Sequence, residues 1–191
     1  MVRDAKRAGL PITAEAAPHH FTLTDESLST FDPNFKVNPP LRSRADVEAL
    51  KIGLGDGTID AIATDHAPHA PHLKEQPLDA APPGMLGLET ALALALTELP
   101  LGLRDVLAAL SWRPAAIAGV ADRHGRPIAP GEPANLTVFD PAAEWTVDRS
   151  ALASRSRNTP YHGRILRGRV RHTVFAGRPV VVDGSIREVD R

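Results

Sequence analysis

The chain reads as an α/β protein: part of a (β/α) barrel followed by a strand-rich tail. The first sign is the stretch Thr58-Ile59-Asp60-Ala61-Ile62-Ala63-Thr64-Asp65-His66-Ala67-Pro68-His69. It opens as an apolar run broken only by Asp60, as suits a strand buried on both faces, and then ends in chemistry. The second sign is alternation: another short strand pattern at 11–16, with helical patterns around both strands, carries the βα texture to residue 124. The third is a change of texture at Gly125, where Gly125, Pro127, Pro130, Gly131 and Pro133 precede a tail of strand patterns. Residues 1–124 and 125–191 are therefore expected to form separate portions.

Taken in order, residues 2–8 predict a helix stopped by Gly9. A strand at 11–16 follows, then Pro18-His19-His20-Phe21 and a helical turn started by Thr24. Residues 35–37 are extended and lead into Asn38-Pro39-Pro40, where two prolines enforce an irregular loop. Ser43 or Asp46 caps a helix running to about Leu54, with Val47, Leu50 and Leu54 on one face. The strand at 59–64 delivers Asp65, His66 and His69 to its C-terminal end, where barrel enzymes place their chemistry. Residues 66–85 hold five prolines and no periodicity, the mark of a functional loop such as a lid. Strong helix formers fill 86–98, and two short helices are expected at 103–110 and 114–120. Strands follow at 135–140, 165–175 and 180–182, the last two joined by a hairpin turn at Ala176-Gly177-Arg178-Pro179.

Composition excludes several classes. Without cysteine among its 191 residues, the chain has no disulfide and no thiolate metal site. The segment Met1-Val2-Arg3-Asp4-Ala5-Lys6-Arg7 has no signal-peptide core, and the apolar stretch after Leu86 is too short and too acidic to span a membrane. A soluble, cytoplasmic protein is expected. Net charge is −1, yet residues 149–191 carry ten arginines against three acids. Nucleic-acid binding is not the reading, because Arg167, Arg169 and Arg171 alternate as a strand's solvent face does and no aromatic platform accompanies them. Only two barrel-type strands occur, whereas a closed (β/α)8 barrel takes about 250 residues, so the chain reads as the end of a larger protein.

Four motifs narrow the function. Ala14-Glu15-Ala16-Ala17-Pro18-His19-His20-Phe21, Lys36-Val37-Asn38-Pro39-Pro40-Leu41-Arg42, Thr64-Asp65-His66-Ala67-Pro68-His69 and Gly84-Met85-Leu86-Gly87-Leu88-Glu89-Thr90 stand in the order and spacing of the dihydroorotases. With Pro130-Gly131-Glu132-Pro133-Ala134-Asn135-Leu136 and the late hairpin, the chain resembles that family, of the amidohydrolase superfamily, over essentially its whole length. The resemblance implies strands seven and eight of a zinc-dependent (β/α)8 barrel, then the C-terminal strands of a small β-sandwich. It implies the reversible hydrolysis of dihydroorotate to N-carbamoyl-L-aspartate in pyrimidine biosynthesis, with one or two zinc ions. Asp65 matches the eighth-strand aspartate that ligates zinc and carries the proton from attacking water to leaving nitrogen. Asn38 and His69 match substrate-binding residues, His69 facing the substrate carboxylate. Pro83 and Gly84 match a dipeptide that contacts the pyrimidine through its backbone.

The family's other metal ligands and its substrate arginine belong before the position matched by Met1, so the isolated chain is expected to be inactive. A hydantoinase or allantoinase is the alternative within the class. A non-catalytic scaffold for aspartate carbamoyltransferase is the alternative outside it, and a homodimer is the other partner to expect. Asn38 before the double proline and the imidazole of His69 favour the dihydroorotase, whose carboxylated substrate wants such partners.

Other residues receive plainer readings. His66 and His72 are loop histidines, and Pro68 and Pro71 oppose a self-contained zinc site built from Asp65, His66, His69 and His72. His19 and His20, as neighbours on a strand, would face opposite ways and are not expected as ligands. Lys36 and Arg42 read as structural or solvated, and Trp112 and Trp145 as packing anchors.

Overall fold

The computed structural model describes residues 1–187. Helix α1, Val2–Arg7, ends near Gly9, whose φ of +76° is the left-handed stop the sequence predicts. Strands β1, Glu15–Ala16, and β2, Ala61–Ile62, pair in parallel, with Glu15 opposite Ala61 and Ala16 opposite Ile62. Both are shorter than the runs at 11–16 and 59–64. Pro11 brings no donor, and Ile12 turns its N–H back onto Leu10 O at 2.8 Å, so regular pairing starts late. Asp60, the one charge in the apolar run, is satisfied by Lys6 Nζ at 2.6 Å and Ala14 N at 2.9 Å. These bonds clamp α1 onto the strand pair.

After β1 the chain leaves the extended form at once. Pro18–Phe21 is a 3-10 turn with Pro18 preset at its start, so His19 and His20 do not alternate as strand neighbours would. Further 3-10 turns cover Asp25–Thr30 and Pro33–Phe35. Helix α2, Arg44–Gly55, is capped as predicted: Ser43 Oγ accepts from Asp46 N, and the Asp46 carboxylate accepts from Ser43 N at 3.1 Å.

The long loop after β2 is not an open lid. It contains helix α3, Pro71–Lys74, and two lysines hold it. Lys36 Nζ donates to Leu78 O (2.7 Å) and Asp79 O (3.0 Å), while Lys74 Nζ donates to Pro82 O and Gly84 O, both at 3.0 Å. The helix expected over 86–98 starts only at Ala91, as α4, Ala91–Glu98. Leu86 N donates a hydrogen bond to Asn158 O, and Gly87 N and Leu88 N donate to His66 Nδ1, so distant acceptors draw that segment out of the helix. The two helices expected beyond Pro100 form one run instead. It comprises α5, Leu103–Leu107, a π turn, Ala108–Trp112, and α6, Arg113–Ile117. Pro114, which has no N–H to return, accounts for the widened turn.

The tail forms a four-stranded antiparallel sheet in sequence order: β3 Leu136–Thr146, β4 Ile165–Phe175, β5 Arg178–Val182 and β6 Ser185–Ile186. The turn at Ala176-Gly177 has φ of +49° and +79°, which matches strand twist. Arg167, Arg169 and Arg171 do occupy the exposed positions of β4. β6 was not expected, although Asp183-Gly184 carries a strong hairpin signal. β3 also runs six residues past its expected end, across an irregularity in register between Asp140 and Glu144.

The sheet does not stand apart from what precedes it. One buried cluster joins Leu41, Met85 and Leu94 to Val147, Tyr161 and Leu166. Gly168 sits against Leu96 of α4 where any Cβ would collide, and Arg167 N donates to Thr97 Oγ1 at 2.9 Å. The second cluster gathers Ala16, Phe21, Leu54, Ile59 and Ile62 behind β1 and β2. Among the described residues, no helix is long and apolar enough to cross a membrane.

Candidate active site

Asp65 stands where β2 ends, and its backbone there takes the left-handed form with φ of +46°. Aspartate tolerates this region better than most residues, and such conformations persist where surrounding contacts over-determine them. Gly87 supplies part of that surround, because a Cβ at 87 would collide with Thr64 O. The Asp65 side chain is 49% exposed and borders a cleft of about 480 Å³ that it shares with Glu15, His20, Asn38 and Arg42. Asn38 and Asp65, 27 positions apart, thus meet in one opening.

His69, Pro83 and Gly84 form a second group on the same loop system. His69 N donates to Asn158 Oδ1 at 3.1 Å, and its ring Nε2 lies 3.0 Å from Pro83 O. Gly84 has φ of +134°, and a Cβ there would come within 2.9 Å of His69 Nε2 and 2.6 Å of Ala67 Cβ. Only glycine fits that backbone against that ring. Gly84 N donates to Lys36 O at 2.8 Å, which ties this group to the segment carrying Asn38. His69, Pro83 and Gly84 do not line the cleft that holds Asp65 and Asn38.

Two residues escape sequence reasoning. Asn158, 3% exposed, donates from Nδ2 to Ala67 O (2.9 Å) and Gly84 O (3.2 Å) while accepting from His69 N. In sequence, Asn158-Thr159-Pro160 signals only a turn. The other is His19, 2% exposed, whose Nε2 is buried without a hydrogen-bond partner and lies 3.6 Å from Asp65 Oδ2. Burial, with the charge of neighbouring His20, pushes the His19 imidazole down to about 3. His20 turns the other way and bonds Pro39 O through Nε2 at 2.9 Å. His66 is structural: its Nδ1 accepts two backbone N–H groups, so its proton is on Nε2. His72 is exposed on α3.

Among the described residues no three His, Asp or Glu side chains converge as a metal site. A catalytic zinc takes about three protein ligands, so this chain's donors do not by themselves fit a zinc centre, and Asp65 offers it one carboxylate.

A parallel strand pair thus leads into a segment that presents an aspartate to a cleft, and the comparisons give the family. The model of the amidohydrolase family matches residues 3–180, and the chain belongs to that family. Particular relatives are dihydroorotases: that of Streptomyces coelicolor is 52% identical over 190 residues, covering 97% of this chain and 44% of the relative. The Mycobacterium tuberculosis dihydroorotase is 49% identical over 187 residues, covering 96% and 43%. Among solved structures, the L-hydantoinase (dihydropyrimidinase) of Arthrobacter aurescens superposes with a TM-score of 0.89 at 27% identity, over 98% of this chain and 43% of that one. The chain spans less than half the length of the relatives it matches.

Proposed function

We propose that this chain supplies the proton-transfer carboxylate and part of the substrate-binding surface of a dihydroorotase, which interconverts dihydroorotate and N-carbamoyl-L-aspartate. The observation that carries the reading is Asp65, held left-handed at the end of β2 and opening into a cleft with Asn38. In this reading β1 and β2 are strands seven and eight of a (β/α)8 barrel within residues 1–124, and residues 125–191 are the C-terminal share of a β-sandwich. Identity of about half to dihydroorotases favours that substrate over hydantoin, for which the support is likeness of fold at 27% identity.

Asp65 accepts the proton of the attacking water and delivers it to the departing amide nitrogen, in the manner of a general base that turns acid. Asn38 and His69 hold the substrate's polar groups. The contact of His69 Nε2 with Pro83 O fixes the orientation of the ring beside the Pro83-Gly84 backbone. Pro83 and Gly84 offer backbone at close range to the ring of the substrate. Zinc, the cofactor in this reading, would take Asp65 as one ligand and would supply Lewis-acid activation.

The test is turnover of dihydroorotate, hydantoin and allantoin by the protein that carries this sequence, with zinc content measured alongside. Dihydroorotate is expected to be preferred, and Asp65→Asn to lower kcat by about 10²- to 10⁴-fold. Preference for hydantoin would overturn the assignment. Co-purification with aspartate carbamoyltransferase, without zinc or turnover, would instead mark a scaffold.

A further inference from the structure

We infer that His19 is a positioning residue for Asp65: its Nε2–H donates to Oδ2 and sets the carboxylate's orientation toward the cleft. The inference rests on the proton-carrying role proposed for Asp65, but its observations are separate. His19 is fixed on the 3-10 turn Pro18–Phe21, its ring is buried, and its Nε2 lacks a hydrogen-bond partner. An orphaned buried donor is costly, about 1–3 kcal/mol, and folds keep few of them. The neighbouring acceptor is Asp65 Oδ2 at 3.6 Å, just past hydrogen-bond length.

The two partners differ in freedom. His19 is walled in, while the Asp65 side chain is half exposed on a loop and can rotate. A turn of the carboxylate that shortened this separation to about 2.9 Å would close the hydrogen bond. One oxygen is then held by His19, and the other is left to face the cleft. The proton that moves in catalysis is thereby confined to a single oxygen of known direction. A carboxylate free to spin would divide its time among unproductive orientations. His20 does not share the task, since its Nε2 bonds Pro39 O.

The geometry requires the Nε2–H tautomer of His19. Nitrogen-15 NMR on histidine-labelled protein reads this directly, and needs neither zinc nor turnover. The expected result is an Nε2–H imidazole whose Nε2 resonance moves in Asp65→Asn. The Nδ1–H tautomer, or an Nε2 resonance indifferent to that substitution, overturns the proposal. Kinetics provide the second readout. His19→Gln places an amide N–H near the position of Nε2–H, and is expected to keep kcat within a few-fold. His19→Leu fills the same space without a donor, and kcat is expected to fall about 10- to 100-fold with little change in KM. Equal losses in the two variants, both still folded by circular dichroism, overturn it as well. If the whole protein that carries this sequence fails to turn over dihydroorotate, the assigned reaction falls, and the NMR result still decides the role of His19.

Discussion

Lys74 is a lysine whose protonation is strongly altered by folding. Its side chain is buried against Pro82 O and Gly84 O, and burial pushes its pKa from 10.5 down to about 8. Between about pH 8 and 10.5 the unfolded chain therefore holds a proton that the folded chain has released. Stability contributed by this group rises with pH across that window; below it the fold carries the full cost of a buried ammonium. The neutral amine still has two N–H groups for its two carbonyl partners. Urea unfolding at steps from pH 7.5 to 10.5 should show this rise in the wild type and its loss in Lys74→Met. The variant should also lose about 1–3 kcal/mol for the carbonyls it strands. The same residue explains why Pro83 and Gly84 keep a defined backbone beside His69.

At the scale of elements, the loop after β2 is held by side chains that lie far away in sequence. Asn158 reaches it from 74 to 91 positions downstream, closing three hydrogen bonds on Ala67, His69 and Gly84. The segment is consequently a fixed wall and not a gate, and the lid expected from its prolines is absent from this structure. Asn158→Ala deletes the acceptor for His69 N and two donors at once. Hydrogen exchange of the His69 amide should speed up by at least tenfold, while amides in α2, far from Asn158 in the hydrogen-bond network, should keep their protection. Unchanged exchange at His69 would show that the loop is held by other contacts.

Over the whole molecule, the sheet β3–β6 and the elements before Gly125 share the cluster of Leu41, Met85, Leu94, Val147, Tyr161 and Leu166. Tyr161, 2% exposed, bonds Thr22 Oγ1 at 2.7 Å, and Arg164 pairs with Glu98 across the same boundary. Two portions joined through a common core should unfold as one. The chain offers a probe on each side, Trp112 in the π turn and Trp145 in β3. Single-tryptophan variants, Trp112→Phe and Trp145→Phe, should give coincident denaturant midpoints once each is referenced to its own circular dichroism transition. Separate midpoints would show that the texture change at Gly125 marks independent stability.

What the sequence determined by itself was local or carried by motifs. The cap at Ser43, the stop at Gly9, the Ala176-Gly177 hairpin and the alternating arginines of β4 follow from backbone preferences and period two, which act over a few residues. The family was legible because Asp65, Asn38 and the Gly84 segment stand in register along the chain. The tertiary structure decided where donors and acceptors went. Leu86 and Leu88 are good helix formers, yet Asn158 and His66 take the N–H groups of Leu86, Gly87 and Leu88, and no window of sequence shows that competition. The runs at 11–16 and 59–64 pair over only two residues each, because a strand's length depends on its neighbour as well as on its own propensity. His19 and His20 read as strand neighbours facing opposite ways; a 3-10 turn placed His19 in the core with its Nε2 3.6 Å from Asp65 Oδ2. Burial and proximity are properties of the packed chain, and they alone brought that histidine beside Asp65.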